Sequence, residues 1–431
     1  GRLAAAWLWA GKPGALTAVD KPPRMRHTEK AAARQPKTVK EYHILMRKLI
    51  SLALCAGLAA GLSACSAEEG AEPETSLALQ DDSSYVLTPA EGAEPLPDAG
   101  AVIALAVNDD GVETGVNAML WQGVQAFCEN FGYTAQLYEA EGDDAQANQD
   151  SLRRAAESGA ELVVCAGADM EVPLFELQNN YPTVNYLMLD GEPHSDDYAS
   201  YTTASNVHCV LFSEEQAGYL AGYAAVADGY TSLGFLGADM QPGIVRYGTG
   251  FLQGAQAAAE QNGMEVTLKI WYSGLYDASD EITARMGGWY AEGTQVIFAV
   301  GGTLAQSCID AVQDSSGRVI AADWDQSALG GQVLGSAVKR FSTVVQNQLY
   351  GFYADGAGWN EDQSGQTERV GVSAGGVGLA SAQWGFLEFA PEEYDDVYNR
   401  LVSGALRVER YSDPDPEGLI QAPNVTVDYQ N

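Results

Sequence analysis

From residue 101 onward the chain repeats one pattern: a short, continuously apolar run, then a stretch with helical spacing, then another apolar run. The runs are AVIALAV (101–107), ELVVCA (161–166), VNYLMLD (184–190), VHCVLF (207–212), SLGFLG (232–237), VTLKIW (266–271), QVIFAV (295–300) and RVIAAD (318–323). Helical stretches fall between them at 116–130, 146–157, 214–227, 246–262 and 303–314. A strand that is apolar on both faces must be covered on both faces, and helices alternating with parallel strands supply that cover. About ten such units are too many for one sheet around one core. The pattern therefore predicts an α/β protein of two lobes, spanning 99–228 and 229–335, with the break near AVADGYTSLG (225–234).

Ligands of parallel sheets bind beyond the carboxyl ends of the strands, so a site is sought in the residues just after each run. Those ends are polar or glycine-rich: Asn108-Asp109-Asp110-Gly111, Asp190-Gly191, Gly237-Ala238-Asp239, Gly301-Gly302-Thr303 and Asp323-Trp324-Asp325. Any one of them reads as ordinary turn or cap chemistry. Five together, drawn from both lobes, point to a cleft that grips a polar or polyhydroxylated ligand. Signals of catalysis are weak. No phosphate loop, HExxH or GxSxG is present, and Gly375-Gly376-Val377-Gly378 lacks the spacing of a dinucleotide fingerprint. His194 and His208 are the histidines after residue 64, so the commonest general acid or base is scarce. The chain reads as a binding protein rather than an enzyme, with no cofactor and no metal site.

Residues 1–45 are basic, rich in Ala and Pro and without sustained apolar period, and are expected to lie outside the native protein. Met46-Arg47-Lys48 then precedes an apolar run that ends on Leu62-Ser63-Ala64-Cys65. The run is shorter than the roughly 20 residues a membrane-spanning helix needs. A positive start, a short apolar middle and small residues before a cut describe a secretory signal over 46–64. Its end resembles the lipobox of bacterial lipoproteins, which makes Cys65 the expected lipidated N-terminus. Residues 66–98, rich in Glu, Asp, Ser, Ala and Pro, read as a disordered acidic tether. The whole chain has 23 Lys+Arg and 58 Asp+Glu, and residues 1–64 hold 11 and 3 of them, leaving 12 basic and 55 acidic residues, a net −43. Such a surface repels nucleic acid and anionic headgroups. Lys269 and Lys339 are the lysines that remain. Cys128, Cys165, Cys209 and Cys308 show no metal-ligand spacing and declare no disulfide.

Several stretches carry a family resemblance: NAMLWQGVQAF (117–127), YPTVNYLMLDG (181–191), FSEEQAGYLAGYAA (212–225), GFLGADMQPGIVRYGTGFLQGAQAA (234–258), VIFAVGGT (296–303), VIAADWDQS (319–327) and VLGSAVKR (333–340). In order and spacing they resemble the basic-membrane-protein family of substrate-binding lipoproteins, the purine nucleoside receptor type that serves ABC importers. The resemblance implies a type I periplasmic-binding-protein fold: two Rossmann-like lobes with parallel sheets, joined by a hinge that 336–390 crosses. A C-terminal helix and tail over 391–431 complete the chain, where the likeness fades.

Carried over residue by residue, the family's ligand contacts fall on Asn108, Asp109 and Asn117, on Asp190 for the base, and on Asp323 and Lys339 for the ribose. Gly301 and Gly302 would let backbone approach the ligand. Where the family places a stacking Phe this chain has Val116, and Trp324 is expected to supply the flat wall instead, with Tyr247 the other candidate. The implied function is a monomeric, lipid-anchored receptor on the outer face of the cytoplasmic membrane, passing a nucleoside-like ligand to permease and ATPase subunits. A flavin or sugar receptor of the same fold, or a lipid-anchored ligand sensor, stays open beside it.

Overall fold

The computed structural model describes residues 81–90, 92–312, 316–354, 356–380, 383–412 and 420–430; the signal segment, Cys65 and residues 66–80 lie outside the described residues. The first sheet contains β1 (Val102–Val107), β2 (Thr134–Glu139), β3 (Leu162–Ala166), β4 (Asn185–Leu189), β5 (Val207–Phe212) and β11 (Thr367–Val370), in the order β11-β5-β4-β3-β1-β2. The second contains β6 (Ser232–Gly237), β7 (Val266–Tyr272), β8 (Val296–Val300), β9 (Arg318–Asp323), β10 (Val333–Lys339), β12 (Val377–Ala380) and β13 (Val425–Tyr429), in the order β12-β10-β9-β8-β6-β7-β13. Every pairing is parallel except β10 with β12. Leaving the added edge strands aside, both sheets share one winding, with the first strand of each lobe second from its edge. That winding puts a topological switch point between β1 and β3 in one sheet and between β6 and β8 in the other.

The eight apolar runs all form strands. β2 escaped the sequence pattern because it is an edge strand of half-buried residues, TAQLYE, with no continuous apolar face. β13 lies in the segment read as a tail, and it extends the second sheet by pairing with β7 from Val425–Val266 to Tyr429–Ile270.

The helices are α1 (Gly115–Phe131), α2 (Ala145–Glu157), α3 (Glu171–Leu177), α4 (Glu214–Ala227), α5 (Pro242–Asn262), α6 (Asp280–Ala291), α7 (Leu304–Ala311), α8 (Phe341–Ala354) and α9 (Pro391–Val402). Two of them change lobes. α4 follows β5 of the first sheet yet packs on β10 and β12 of the second; α8 follows β10 of the second sheet yet packs on α1 and β4 of the first. The chain therefore crosses between the sheets at Ser213, at Arg340 and along 371–376, rather than first near residue 228. Close helix approach makes the exchange possible: a Cβ on Gly123 of α1 would lie 2.4 Å from Val345 of α8.

The acidic segment before β1 is also not wholly a free tether. Asp82 is buried, and its two carboxylate oxygens accept from the backbone N–H groups of Ser342 (2.9 Å) and Thr343 (2.8 Å). Those are orphan donors at the start of α8, and an anion there also meets the positive end of the helix dipole. Burial foremost pushes the Asp82 carboxyl above its ordinary range, and the two backbone donors pull it back. A segment rich in Glu, Asp, Ser and Pro is held here by helix-end chemistry, which composition does not register.

Candidate functional site

Three of the expected site residues converge. Asp190 follows β4 of the first sheet; Asp323 ends β9 and Lys339 ends β10 of the second. Lys339 Nζ lies 2.7 Å from Asp190 Oδ2 and 3.4 Å from Asp323 Oδ1, so one ammonium joins carboxylates from both lobes. Tyr247 of α5 donates its hydroxyl to Asp323 Oδ1 at 3.2 Å, while its ring packs edge-on against Phe298 in the core. It supports the carboxylate and presents no free face.

The same cluster contains residues that the strand-end reading passed over. Glu214, 1 % exposed, accepts from Arg246 Nε at 2.7 Å and lies 3.6 Å from Lys339 Nζ and 3.7 Å from Arg369 Nη1. It follows β5 by two residues, so the rule that singled out the other strand ends also reaches it. Burial by itself would lower the Lys339 pKa, but Asp190, Asp323 and Glu214 together raise it, and the ammonium stays charged. Three carboxylates balance Lys339, Arg246 and Arg369, and that pairing is what makes so many charges tolerable in a buried place.

On the first lobe, Asn117 Nδ2 donates to Asn108 Oδ1 at 2.7 Å, and Asn108 Nδ2 donates to Asp110 Oδ2 and Asp169 Oδ2, both at 2.9 Å. Asn108 and Asn117 are thus brought together, whereas Asp109 is exposed and Asp110 takes the position beside Asn108. On the second lobe, Gly301 (φ 113°) and Gly302 (φ 47°) serve a close approach within the protein. A Cβ on Gly302 would stand 2.2 Å from the Tyr276 carbonyl oxygen, which instead accepts from Thr303 N–H at 2.9 Å. Tyr276, 41 % exposed, is pushed up in pKa by burial first and then by Asp239, which accepts its hydroxyl hydrogen. It is an aromatic residue at the cleft that sequence reasoning missed, because it sits beyond β7, whose end Ser273-Gly274 was not among the strand ends singled out.

Trp324 is half-buried and lines a cavity together with Met119 and Lys339. Val116 packs against the core. The arrangement offers hydroxyl-binding chemistry: an ammonium that donates, carboxylates that accept, and amide groups on the first lobe. Its outer members Asp109, Asp110, Asp169, Asp239 and Asp325 are acidic, which disfavours an anionic ligand.

A family model described as ABC transporter substrate-binding protein, PnrA-like, matches residues 101–411. The chain belongs to that family. It is a binding protein and not an enzyme, and an extracytoplasmic one of the kind that delivers ligands to permease and ATPase subunits. None of the curated proteins compared with it matches. Among solved structures it is similar to a solute-binding protein of an ABC transporter system from Aeropyrum pernix K1 (18 % identity, 73 % of this chain and 95 % of that one, TM-score 0.57). A solute-binding protein from Conexibacter woesei DSM 14684 is alike at 18 % identity, covering 72 % and 99 % of the two chains with TM-score 0.57. A transcriptional activator of the comK gene from Bacillus halodurans shares 19 % identity over 75 % and 100 %, with TM-score 0.55. These likenesses show the two-lobed periplasmic-binding fold. Among the described residues no helix is long and apolar enough to cross a membrane.

Proposed function

We propose that this substrate-binding protein takes a nucleoside between its lobes, held to the membrane by a lipid on Cys65. The observation that carries the reading is the Lys339 ammonium between Asp190 and Asp323, a donor flanked by acceptors from two lobes, which suits the vicinal hydroxyls of a ribose. Asn108 and Asn117 offer amide groups for a base edge, and Tyr276 and Trp324 offer aromatic surface. Stacking on a base is worth about 1–3 kcal/mol. A sugar receptor is the second reading, favoured by Val116, which leaves that wall of the cleft without an aromatic ring.

A thermal-shift panel of nucleosides, bases, flavins and sugars tests this. Ligand at about 100 times Kd stabilises the folded state by about 2.7 kcal/mol, so a nucleoside is expected to raise Tm by several degrees in the wild type and not in Asp323→Ala. A response to free sugars alone would replace the nucleoside by the second reading. In membrane fractions from cells making the full chain, Cys65→Ser should move the protein to the soluble fraction; retention would remove the anchor.

A further inference from the structure

Asp81–Leu87 lies upstream of the family match, which begins at residue 101, yet it is fastened in place. Besides the Asp82 cap on α8, the Tyr85 hydroxyl donates to Asn347 Oδ1 at 2.9 Å, and Gln346 Nε2 donates to the Tyr85 carbonyl at 3.0 Å. Leu87 N–H donates to Gln346 Oε1 at 2.9 Å, and Gln122 of α1 donates to the Ser83 carbonyl at 2.6 Å. All of these partners sit on helices of the first lobe. Asp81 and Ser83 bound a cavity of about 260 Å³ whose other walls are Met119 of α1, Trp324 and Asp325 of the second lobe, and Lys339. That is far above the roughly 10–15 Å³ that a single water needs. Lys339 thus belongs both to the hydroxyl-binding cluster and to this cavity.

We infer that the first residues of this strap, Asp81–Ser83, wall a side compartment of the ligand cleft, which takes an apolar substituent tipped with an ammonium group and carried on the hydroxyl-bearing end of the ligand. The inference rests on the nucleoside reading. Met119, Val338, Ala328 and Trp324 give the compartment its apolar body. Asp81 and Asp325 give it acceptors and negative charge: Asp325 uses one oxygen on Ser327 N–H at 2.8 Å, and Asp81 accepts from Ser83 N–H at 3.1 Å on one oxygen and from the Ser83 hydroxyl on the other. The Lys339 charge is already matched by Asp190, Asp323 and Glu214, so it does not invite an anion. A cationic tip would meet carboxylates; a phosphate would be repelled by them.

Calorimetric titration of the full chain tests this with three probes: inosine, inosine bearing a 4-aminobutyl group on its 5′ oxygen, and inosine 5′-monophosphate. The aminobutyl derivative is expected to bind at least tenfold more tightly than inosine, and the monophosphate at least tenfold more weakly. Ala328→Phe, which fills the compartment, should abolish that gain and leave inosine within twofold. Asp81→Asn, which keeps an acceptor for Ser83 N–H and removes a charge from the compartment, should reduce the gain without touching inosine, and covers the case in which Ala328→Phe does not fold. Inosine binding with no gain for the derivative, or a gain that survives whichever variants fold, overturns the compartment alone. Monophosphate binding as tight as inosine overturns the assigned chemistry. No inosine binding to the wild type removes the nucleoside reading and the compartment with it.

Discussion

Asp190 and Asp323 hold left-handed backbone, φ 56° and 68°, which non-glycine residues adopt at a cost of about 1–3 kcal/mol. Both stand at strand ends with their carboxylates on Lys339, so the strain is carried where the charges meet. Lys339→Met would leave buried carboxylates without their cation, and removing one partner of a buried pair costs about 3–5 kcal/mol. Burial foremost raises the Asp323 carboxyl, and Lys339 is the main influence lowering it. A carboxyl whose folded pKa is raised contributes stability below its unfolded value that is lost as pH rises through the folded value. Without Lys339 the rise grows, so the deficit of the variant should be smaller at pH 5 than at pH 8. Urea unfolding at the two pH values reads this directly, and equal deficits would show that the carboxylates do not respond to the cation. These residues were legible because a rare lysine and acids at strand ends stand out in sequence. Glu214 was not, since an acid in the first turn of a helix reads as complementing the helix dipole. Nor was Tyr276, whose position depends on the glycine pair Gly301-Gly302 in another loop.

Between elements, the closest fit is α4 against α5. Glycines from both helices bring backbone onto backbone: a Cβ on Gly222 would lie 2.0 Å from the Phe251 carbonyl oxygen, and one on Gly254 2.0 Å from that of Tyr219. Backbone cannot swing aside as a side-chain tip can. Gly254→Ala should therefore destabilise by the about 1–3 kcal/mol typical of overpacking, or more. Gly287 in α6 is the counterpart, with nothing within 4 Å of its Cβ position. There Ala should stabilise by about 0.5–1 kcal/mol, because only the conformational entropy of glycine is removed. Paired chemical denaturation distinguishes them, and a harmless Gly254→Ala would mean that the helices can part. The strands of this fold were legible where the apolar run is continuous. β10 (VLGSAVK) and β12 (VGLA) are buried throughout but were not read, because Gly335 and Ser336 interrupt the first and the second is only four residues long. β2, β11 and β13 were not legible either, because edge strands carry polar residues and are recruited by a neighbour's register, here β1, β5 and β7. The docking of Asp82 was illegible for a similar reason: the α8 start that holds it lies about 260 residues away in sequence.

For the molecule as a whole, three segments pass between the lobes, and each brings one charge to the same place. Glu214 follows the crossing at Ser213, Lys339 precedes the one at Arg340, and Arg369 precedes the one along 371–376. Glu214 is the shared anion of the hinge, and through Lys339 it touches the ligand cluster. Glu214→Gln keeps the volume and an acceptor for Arg246 while removing the charge that holds Lys339 and Arg369 together. The hinge segments then repel, and the open arrangement gains population in the free protein. Ligand must pull that population back, so its apparent affinity falls by the fraction of competent molecules, with no contact to the ligand lost. Small-angle X-ray scattering should show a larger radius of gyration for the free variant and the wild-type value once saturated with the tightest nucleoside of the panel. Calorimetry on the same samples should show Kd weakened by about five- to thirtyfold, a coupling of about 1–2 kcal/mol. A variant as compact as the wild type when free, with unchanged Kd, would reduce Glu214 to a packed ion pair. A saturated complex that stays expanded would instead show that the charge is needed for closure itself.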